Sequence, residues 1–339
     1  MGTNSDLNYE LFLLNTTTNQ FTQITNTIGD QGFLRSSIDA AGTQVAFDGR
    51  YNPRGTNADG YPEIFLYDVS GNATTQITNS GYESEWPNIS SDGRHITFGS
   101  RGDLAGGTNS DASVEIFVYD VAANVITQVT RTDFPPTDTI SDRFSRISSD
   151  GSRLAFISVQ DLTGNNGDNN EEVFVASLGA PPPTPTPTPF PTPVGSSKII
   201  FTTNRSGSSN YQIFTMDPDG SSQAALPIPS VTAEFEPAIS HDGSKIAFSD
   251  GDDIYEMNSD GSGRVDLTNT PGVPEAHPRF SPDGSKITYI SQQSDGTWDV
   301  YLMNANGTSQ VNLTNNAEND TDPTFSPDGS KIAFTARRN

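Results

Sequence analysis

The sequence contains no cysteine, which excludes disulfides, thiolate metal sites and cysteine nucleophiles. No apolar run approaches the ~20 residues of a membrane span, so membrane insertion is not expected. The start, MGTNSDLNYE, has neither a basic nor an apolar signal region, and no signal peptide is visible. Basic residues are scarce: 18 Lys and Arg stand against 42 Asp and Glu, a formal net charge of −24. A field of that sign repels phosphate backbones and anionic membranes, so nucleic acid is not an expected partner. It favours solubility, and cations or basic surfaces as ligands. Helical patterning is missing too, since no stretch shows apolar residues at i, i+3, i+4 and i+7 between caps.

What the chain has is repetition. One unit, a small polar residue, Asp-Gly and a short apolar strand, reads SSDGRHITF from Ser90, SSDGSRLAF from Ser148 and SHDGSKIAF from Ser240. It recurs as SPDGSKITY from Ser281 and SPDGSKIAF from Ser326, with looser copies from Ile38 and Gly195. A second unit reads ELFLLN from Glu10, EIFLYD from Glu63, EIFVYD from Glu115, EVFVAS from Glu172, QIFTMD from Gln212, DIYEMN from Asp253 and DVYLMN from Asp299. A third ends in an apolar residue plus Thr, as in QIT at Gln23 and Gln76, QVT at Gln128, DLT at Asp266 and NLT at Asn312.

Each unit makes sense as a strand. S-P-D-G is a type I turn, with Pro at its second position and Gly at its fourth. The K-I-A-F that follows is β-forming, and MNSDG from Met257 supplies hairpin turn residues. The repeat spacing, roughly 41 to 58 residues, is that of four-stranded propeller blades. Strands apolar on both faces fit blades that cover one another. The chain opens on the second unit and closes on the first, which predicts one blade divided between the termini and seven blades in all. The fold class is therefore all-β: a seven-bladed β-propeller of four-stranded blades, closed by a blade shared between N- and C-termini.

The run from Pro278 to Thr314, PRFSPDGSKITY…DVYLMN…NLT, resembles the TolB-like β-propeller repeat family. The resemblance is tightest over Pro278–Thr314 and Thr321–Thr335, looser before residue 180, and extends over nearly the whole chain. It implies a β-propeller fold and, by analogy, a binding role, without carrying over the family's partners. Seven repeats are one more than the family's namesake carries.

The tract PPPTPTPTPFPTP from Pro181 to Pro193 interrupts the repeats. As a polyproline II linker it would leave about three and a half blades on either side, which cannot close separately. The expected arrangement is a single propeller over 1–339. Blades with long loops fill 1–178, a Pro/Thr-rich bridge fills 179–196, and 197–339 holds the blades that close the ring. The tract would stand in for the outermost strand of the fourth blade, where missing N–H groups can face solvent.

One polar constellation recurs. N-x-D-x-x-x-E occurs as Asn4, Asp6 and Glu10; as Asn57, Asp59 and Glu63; as Asn109, Asp111 and Glu115; and as Asn166, Asp168 and Glu172. Alternate hard oxygen ligands with a later Glu suit Ca²⁺, so these twelve residues are the candidate metal ligands and Ca²⁺ the only cofactor considered. Turn-capping Asn and Asp produce the same pattern, and this plainer reading stands ahead of the metal one. Of three histidines, His95 falls in a strand and His241 in a turn, while His277 precedes an inner strand beside Arg279. That pair carries the enzymatic alternative, although a lone His is more often structural. Trp86 and Trp298 are expected to pack in the core. There is no G-x-S-x-G elbow, H-E-x-x-H or phosphate-binding Gly loop.

The expected function is a non-enzymatic binding scaffold, periplasmic, extracellular or on a cell surface, in keeping with a composition rich in Asn, Thr, Ser, Gly and Asp. It would present the loops near 51–61, 102–114 and 160–171 to a protein or other macromolecule, as a monomer or a head-to-tail assembly. The alternative is a polysaccharide lyase or hydrolase at the propeller axis. A cluster of His, Arg and acidic side chains at the mouth of the channel would favour the enzyme.

Overall fold

The computed structural model describes residues 8–27, 35–50, 57, 59–107, 109–132, 143–148, 150–160, 162, 172–178, 198–203, 211–217, 221–227 and 235–336. Among them there are 26 strands in seven sheets and no helix.

The chain opens with β1 (Glu10–Asn15) and β2 (Gln20–Gln23). Sheet I follows, with β3 (Ser36–Ile38), β4 (Gln44–Gly49), β5 (Glu63–Asp68) and β6 (Ala73–Gln76). Sheet II holds β7 (Ser84–Ile89), β8 (His95–Ser100), β9 (Glu115–Asp120) and β10 (Val125–Gln128). Sheet III is β11 (Arg143–Ile147), β12 (Arg153–Ser158) and β13 (Glu172–Ser177); sheet IV is β14 (Ile199–Thr203), β15 (Gln212–Met216) and β16 (Ala224–Ala225). Sheet V has β17 (Phe235–Ile239), β18 (Lys245–Ser249), β19 (Ile254–Asn258) and β20 (Val265–Asp266). Sheet VI has β21 (Glu275–Phe280), β22 (Lys286–Gln292), β23 (Trp298–Asn304) and β24 (Val311–Asn312). The last strands, β25 (Asp320–Phe325) and β26 (Lys331–Ala336), join β1 and β2 in sheet VII, in the order β2-β1-β26-β25. Glu10 pairs with Ala336 and Asn15 with Lys331, antiparallel. The divided blade expected from the order of the repeats is present, and the molecule is a seven-bladed β-propeller.

The repeat residues explain the blade. In every S-x-D-G turn the Ser hydroxyl donates to the Asp at 2.6 Å, as Ser281 does to Asp283 and Ser326 to Asp328. The Gly then takes the left-handed backbone that side chains resist, with φ of +69° at Gly284 and +71° at Gly329. The aromatic ending the first unit pairs with the aromatic inside the second in all seven sheets. Examples are Phe47 on Phe65 at 5.3 Å, Phe98 on Phe117 at 5.8 Å and Phe334 on Phe12 at 5.9 Å. Such cross-strand aromatic pairs are a favoured unit of sheet stabilisation.

Six apolar clusters lie between neighbouring sheets. They join II to III, I to II, VII to I, VI to VII, V to VI and IV to V. The proline tract falls in sequence between β13 and β14, and residues 179–197 lie outside the described residues; among those described, sheets III and IV have three strands each.

Candidate binding face and axial cluster

The inner strands carry the feature that builds the site. β7, β11, β17, β21 and β25 all break register with their neighbours, between Glu85 and Asn88, Arg143 and Arg146, Phe235 and Ala238, Ala276 and Arg279, and Thr321 and Thr324. In four of these bulges a residue directly before Pro adopts the left-handed region: Trp86 (φ 59°), Glu236 (52°), His277 (56°) and Asp322 (54°). A bulge re-aims side chains, and strained backbone of this kind concentrates at functional sites.

Three of the four meet. The His277 ring lies between carboxylates from the two adjoining sheets, with Nε2 2.8 Å from Glu236 Oε1 and Nδ1 3.1 Å from Asp322 Oδ1. The His277 backbone N–H also donates to Glu236 Oε2 at 2.8 Å. Burial alone would lower the imidazole pKa, but the two carboxylates outweigh it and hold it at about 9. Both carboxylates are lowered in turn, against the effect of their own burial, by the hydrogen bond and charge of His277. At neutral pH His277 is thus an imidazolium with both N–H groups committed. It has no lone pair to offer a metal or to act as a base.

Two arginines share the same region. Arg146 and Arg279 stand at equivalent inner-strand positions, Arg279 half-buried and Arg146 exposed; each bonds the carbonyl before it, Ser145 at 3.1 Å and Pro278 at 2.8 Å. The cluster of His, Arg and acidic groups named above as the enzymatic signature is therefore present in composition, built around a histidine that is fully engaged.

Trp86 is placed differently from its expected core position. It forms one wall of a cavity of about 180 Å³, together with Glu83, Glu85, Ser100, Arg101 and Val114. Arg35 stacks on its ring at 5.0 Å and pairs with Asp48 at 3.3 Å. Asp48 is pushed up to about 6 by burial, against the opposing charge of Arg35. Arg101 pairs with Glu83 at 2.8 Å. Trp298 packs half-buried against the cluster between sheets VI and VII, nearer to its expected place.

The candidate metal ligands are partly brought together and partly turned inward. Asn4, Asp6, Asn166 and Asp168 lie outside the described residues. Asn57 donates to the Tyr61 carbonyl, and Asn109 to the carbonyls of Arg101 and Ser113. Asp59 and Asp111 accept the N–H two residues on, at Tyr61 and Ser113. Glu10 accepts from the Thr27 hydroxyl at 2.8 Å and Glu115 from the Thr130 hydroxyl at 2.5 Å, while Glu63 takes a short bond from Thr78. Glu172 heads β13 at the equivalent position. Among the described residues no group of three or more His, Asp or Glu side chains is gathered as a metal site requires.

These bonds reveal a device that the Asn-x-Asp pattern hid. The acid heading the second unit and the Thr closing the third form one clamp: Thr130 donates to Glu115 while its oxygen accepts Ile116 N–H at 2.9 Å. Thr268 with Asp253 and Thr314 with Asp299 repeat it in sheets V and VI, which lack the Asn-x-Asp sequence. The apolar-Thr ending common to the blades was the signal for it.

The bulged ends of the inner strands pair with the ends of the second strands, as Glu85 does with Gly99 and Glu275 with Ser291. The loops near 51–61, 102–114 and 160–171 leave from those same ends. The axial cluster, the Trp86 cavity and the described part of loop 102–114 thus share one face, while residues 51–56, 58, 161 and 163–171 of the other two loops lie outside the described residues.

Residues 192–339 match the family model described as the TolB beta propeller domain. No curated protein matches the chain. Among solved structures, one described as TolB from Agrobacterium tumefaciens is similar with a TM-score of 0.54 and 15% identity, over 96% of this chain and 97% of that one. The β-propeller domain of the Trilobed protease from Pyrococcus furiosus, described with an open velcro topology, scores 0.57 at 10% identity over 90% of each chain. Pyrococcus horikoshii acylaminoacyl peptidase scores 0.54 at 12% identity, over 85% of this chain and 47% of that one. At these identities the likeness is one of fold, and fold alone does not assign an activity.

Proposed function

We propose, from the premise that this chain is a TolB-like β-propeller, that it is an exported binding scaffold which captures a macromolecular partner, a protein above all, on the face carrying its long loops. The observation behind this reading is the convergence on one face of the described part of loop 102–114, the Trp86 cavity and the axial cluster. Loops on a rigid frame are where binding residues concentrate, and an aromatic wall flanked by Arg and Glu is the composition of an interface anchor. The resemblance to TolB structures supports the same reading, and the acidic surface suits a partner with a basic patch.

Shortening the loop 102–114 to the length of Asp250–Asp253 is the direct test. Folding should persist, because the loop lies outside the strand ladders, while capture of a partner from the native envelope fraction should be lost. Undiminished capture would move the surface elsewhere on the molecule.

The second reading, a lyase or hydrolase at the axis, is favoured by the presence of His277, Arg279 and two carboxylates in one place. A mechanism that used His277 as a base would need one of its nitrogens released from the ion triad. Turnover of an oligosaccharide or peptide library that disappears in His277→Ala would establish the enzyme in place of the scaffold.

A further inference from the structure

We propose that the cavity beside Trp86 is a subsite for a lysine side chain of the bound partner, with Glu85 taking its ammonium. The assignment rests on the reading of this face as a binding surface, and names the chemistry of what enters it.

The cavity exists because sheet II departs from the repeat at two facing positions, Glu85 and Gly99. In the other six sheets the residue after the second strand's aromatic is Asp48, Ile157, Thr202, Ser249, Ile290 or Thr335. Only sheet II has glycine there. Residues paired across two strands project on the same face of the sheet, so the side chain that would fill the space opposite Glu85 is missing. The matching pairs are Phe235 with Ser249, Ala276 with Ile290 and Thr321 with Thr335 in sheets V, VI and VII, none of them charged. Both Glu85 and Gly99 line the cavity, beside Glu83, Trp86, Arg101 and Val114.

The charges around this space leave one carboxylate over. Arg101 Nε donates to Glu83 Oε1 at 2.8 Å, and Arg35 pairs with the buried Asp48 at 3.3 Å. Glu85 comes only within 3.8 Å of Arg35, beyond hydrogen-bond reach, and among the described residues its carboxylate accepts no hydrogen bond. Its side chain is 24% exposed, and a half-buried carboxylate without a hydrogen-bonded partner is costly. The missing group is a cation. Val114 and Trp86 suit an alkyl stem, and an aromatic ring attracts a positive charge. An ammonium has three donors to share between Glu85 and the second oxygen of Glu83. A guanidinium fork matches a single carboxylate, and Arg101 already supplies one here. The formal charge of −24 draws a basic side chain toward the molecule in the first place.

Trp86 is its own reporter, one of two tryptophans in the chain. Titrating the full chain with n-butylammonium, the lysine side chain as a free molecule, at pH 7 and constant ionic strength should change the tryptophan fluorescence saturably. Trp86→Phe should remove that response. Butyrate and butanol, similar in length but without the positive charge, should give none, and n-propylguanidinium should bind more weakly. Glu85→Gln should weaken butylammonium by on the order of tenfold, whereas Asp252→Asn, exposed between β18 and β19, should leave it unchanged. Gly99→Thr restores the residue of sheet VII and should abolish binding; should it fail to fold, Gly99→Ser, the residue of sheet V, should still weaken it. No saturable response in the parent, an equal response to butyrate or butanol, tighter binding of propylguanidinium, or a Glu85→Gln protein that binds as the parent does would each overturn the assignment. Shortening the loop 102–114 tests the face itself by partner capture, so a face that captures without a lysine subsite is told apart from a face that does not capture.

Discussion

Side chains join neighbouring inner strands, and His277 joins two of them at once, through Glu236 and Asp322. Its folded pKa of about 9 lies above the ordinary 6.5, so its contribution to stability is complete below pH 6.5 and is lost as pH rises through 9. Glu63 and Glu275, pushed up to about 7 by burial, act in the same direction, losing their contribution between about 4.5 and 7. The turn aspartates Asp150, Asp242, Asp283 and Asp328 are lowered; their contribution is present above 3.8 and disappears as pH falls through their folded values. The melting temperature should therefore peak near pH 4 to 5 and decline on both sides. His277→Gln should flatten the alkaline limb between pH 6.5 and 9; a limb unchanged by that substitution would remove the triad from the account. The Glu-Thr clamp sets a second expectation. Thr130→Val leaves the Ile116 N–H and a Glu115 oxygen without a partner in a buried place, and should cost about 1–3 kcal/mol in denaturant unfolding. Because the same carboxylates are filled by hydroxyls, EDTA should leave the melting curve where it was. A fall reversed by added Ca²⁺ would restore the metal reading of Asp59, Asp111 and their neighbours.

The elements repeat, and repetition made them legible. The S-x-D-G turn, the aromatic in each middle strand and the order of units at the termini were enough to place sheet VII across both ends of the chain. The inner-strand bulge was not legible, because it shows in sequence only as an unremarkable Pro, and the left-handed residue before it varies among Trp, Glu, His and Asp. The ion triad was hidden for the same reason: Glu236, His277 and Asp322 are about 40 residues apart and become neighbours only when three blades stand around an axis. Trp86 was misplaced for want of that bulge, which swings it out of the ladder and onto a cavity wall. Turn glycines allow a sharper check. Gly284 has φ of +69° with nothing near a would-be Cβ, while at Gly307, φ +80°, that atom would sit 2.6 Å from the Leu267 carbonyl oxygen. Gly284→Ala should thus cost only backbone strain, about 1–2 kcal/mol, and Gly307→Ala clearly more. Equal losses in matched chemical melts would contradict the packing between sheets V and VI.

At the scale of the molecule, closure rests on sheet VII. Its strands contribute to two apolar clusters at once, Leu11, Leu13 and Ala333 toward sheet I, and Phe12, Leu14, Ile332 and Phe334 toward sheet VI. Phe334 is fully buried and contacts two rings, Phe12 at 5.9 Å and Phe21 at 5.9 Å. Phe334→Ala should cost about 3–5 kcal/mol, the range for emptying a core aromatic site. Removing Asp320–Ala336 is the stronger perturbation, for it deletes both inner strands of the blade and uncovers the whole edge of β1. An uncovered edge recruits another strand, and the nearest match for β1 is β26 of an intact copy, which is already engaged. The truncated chain should therefore self-associate without closing, whereas the full chain should sediment as a monomer at every concentration, since β1 pairs with β26 of its own chain. Sedimentation velocity on both proteins over a hundredfold dilution separates the cases. A full-length species that grows with concentration would mean that the termini pair between molecules, turning the ring into a head-to-tail chain.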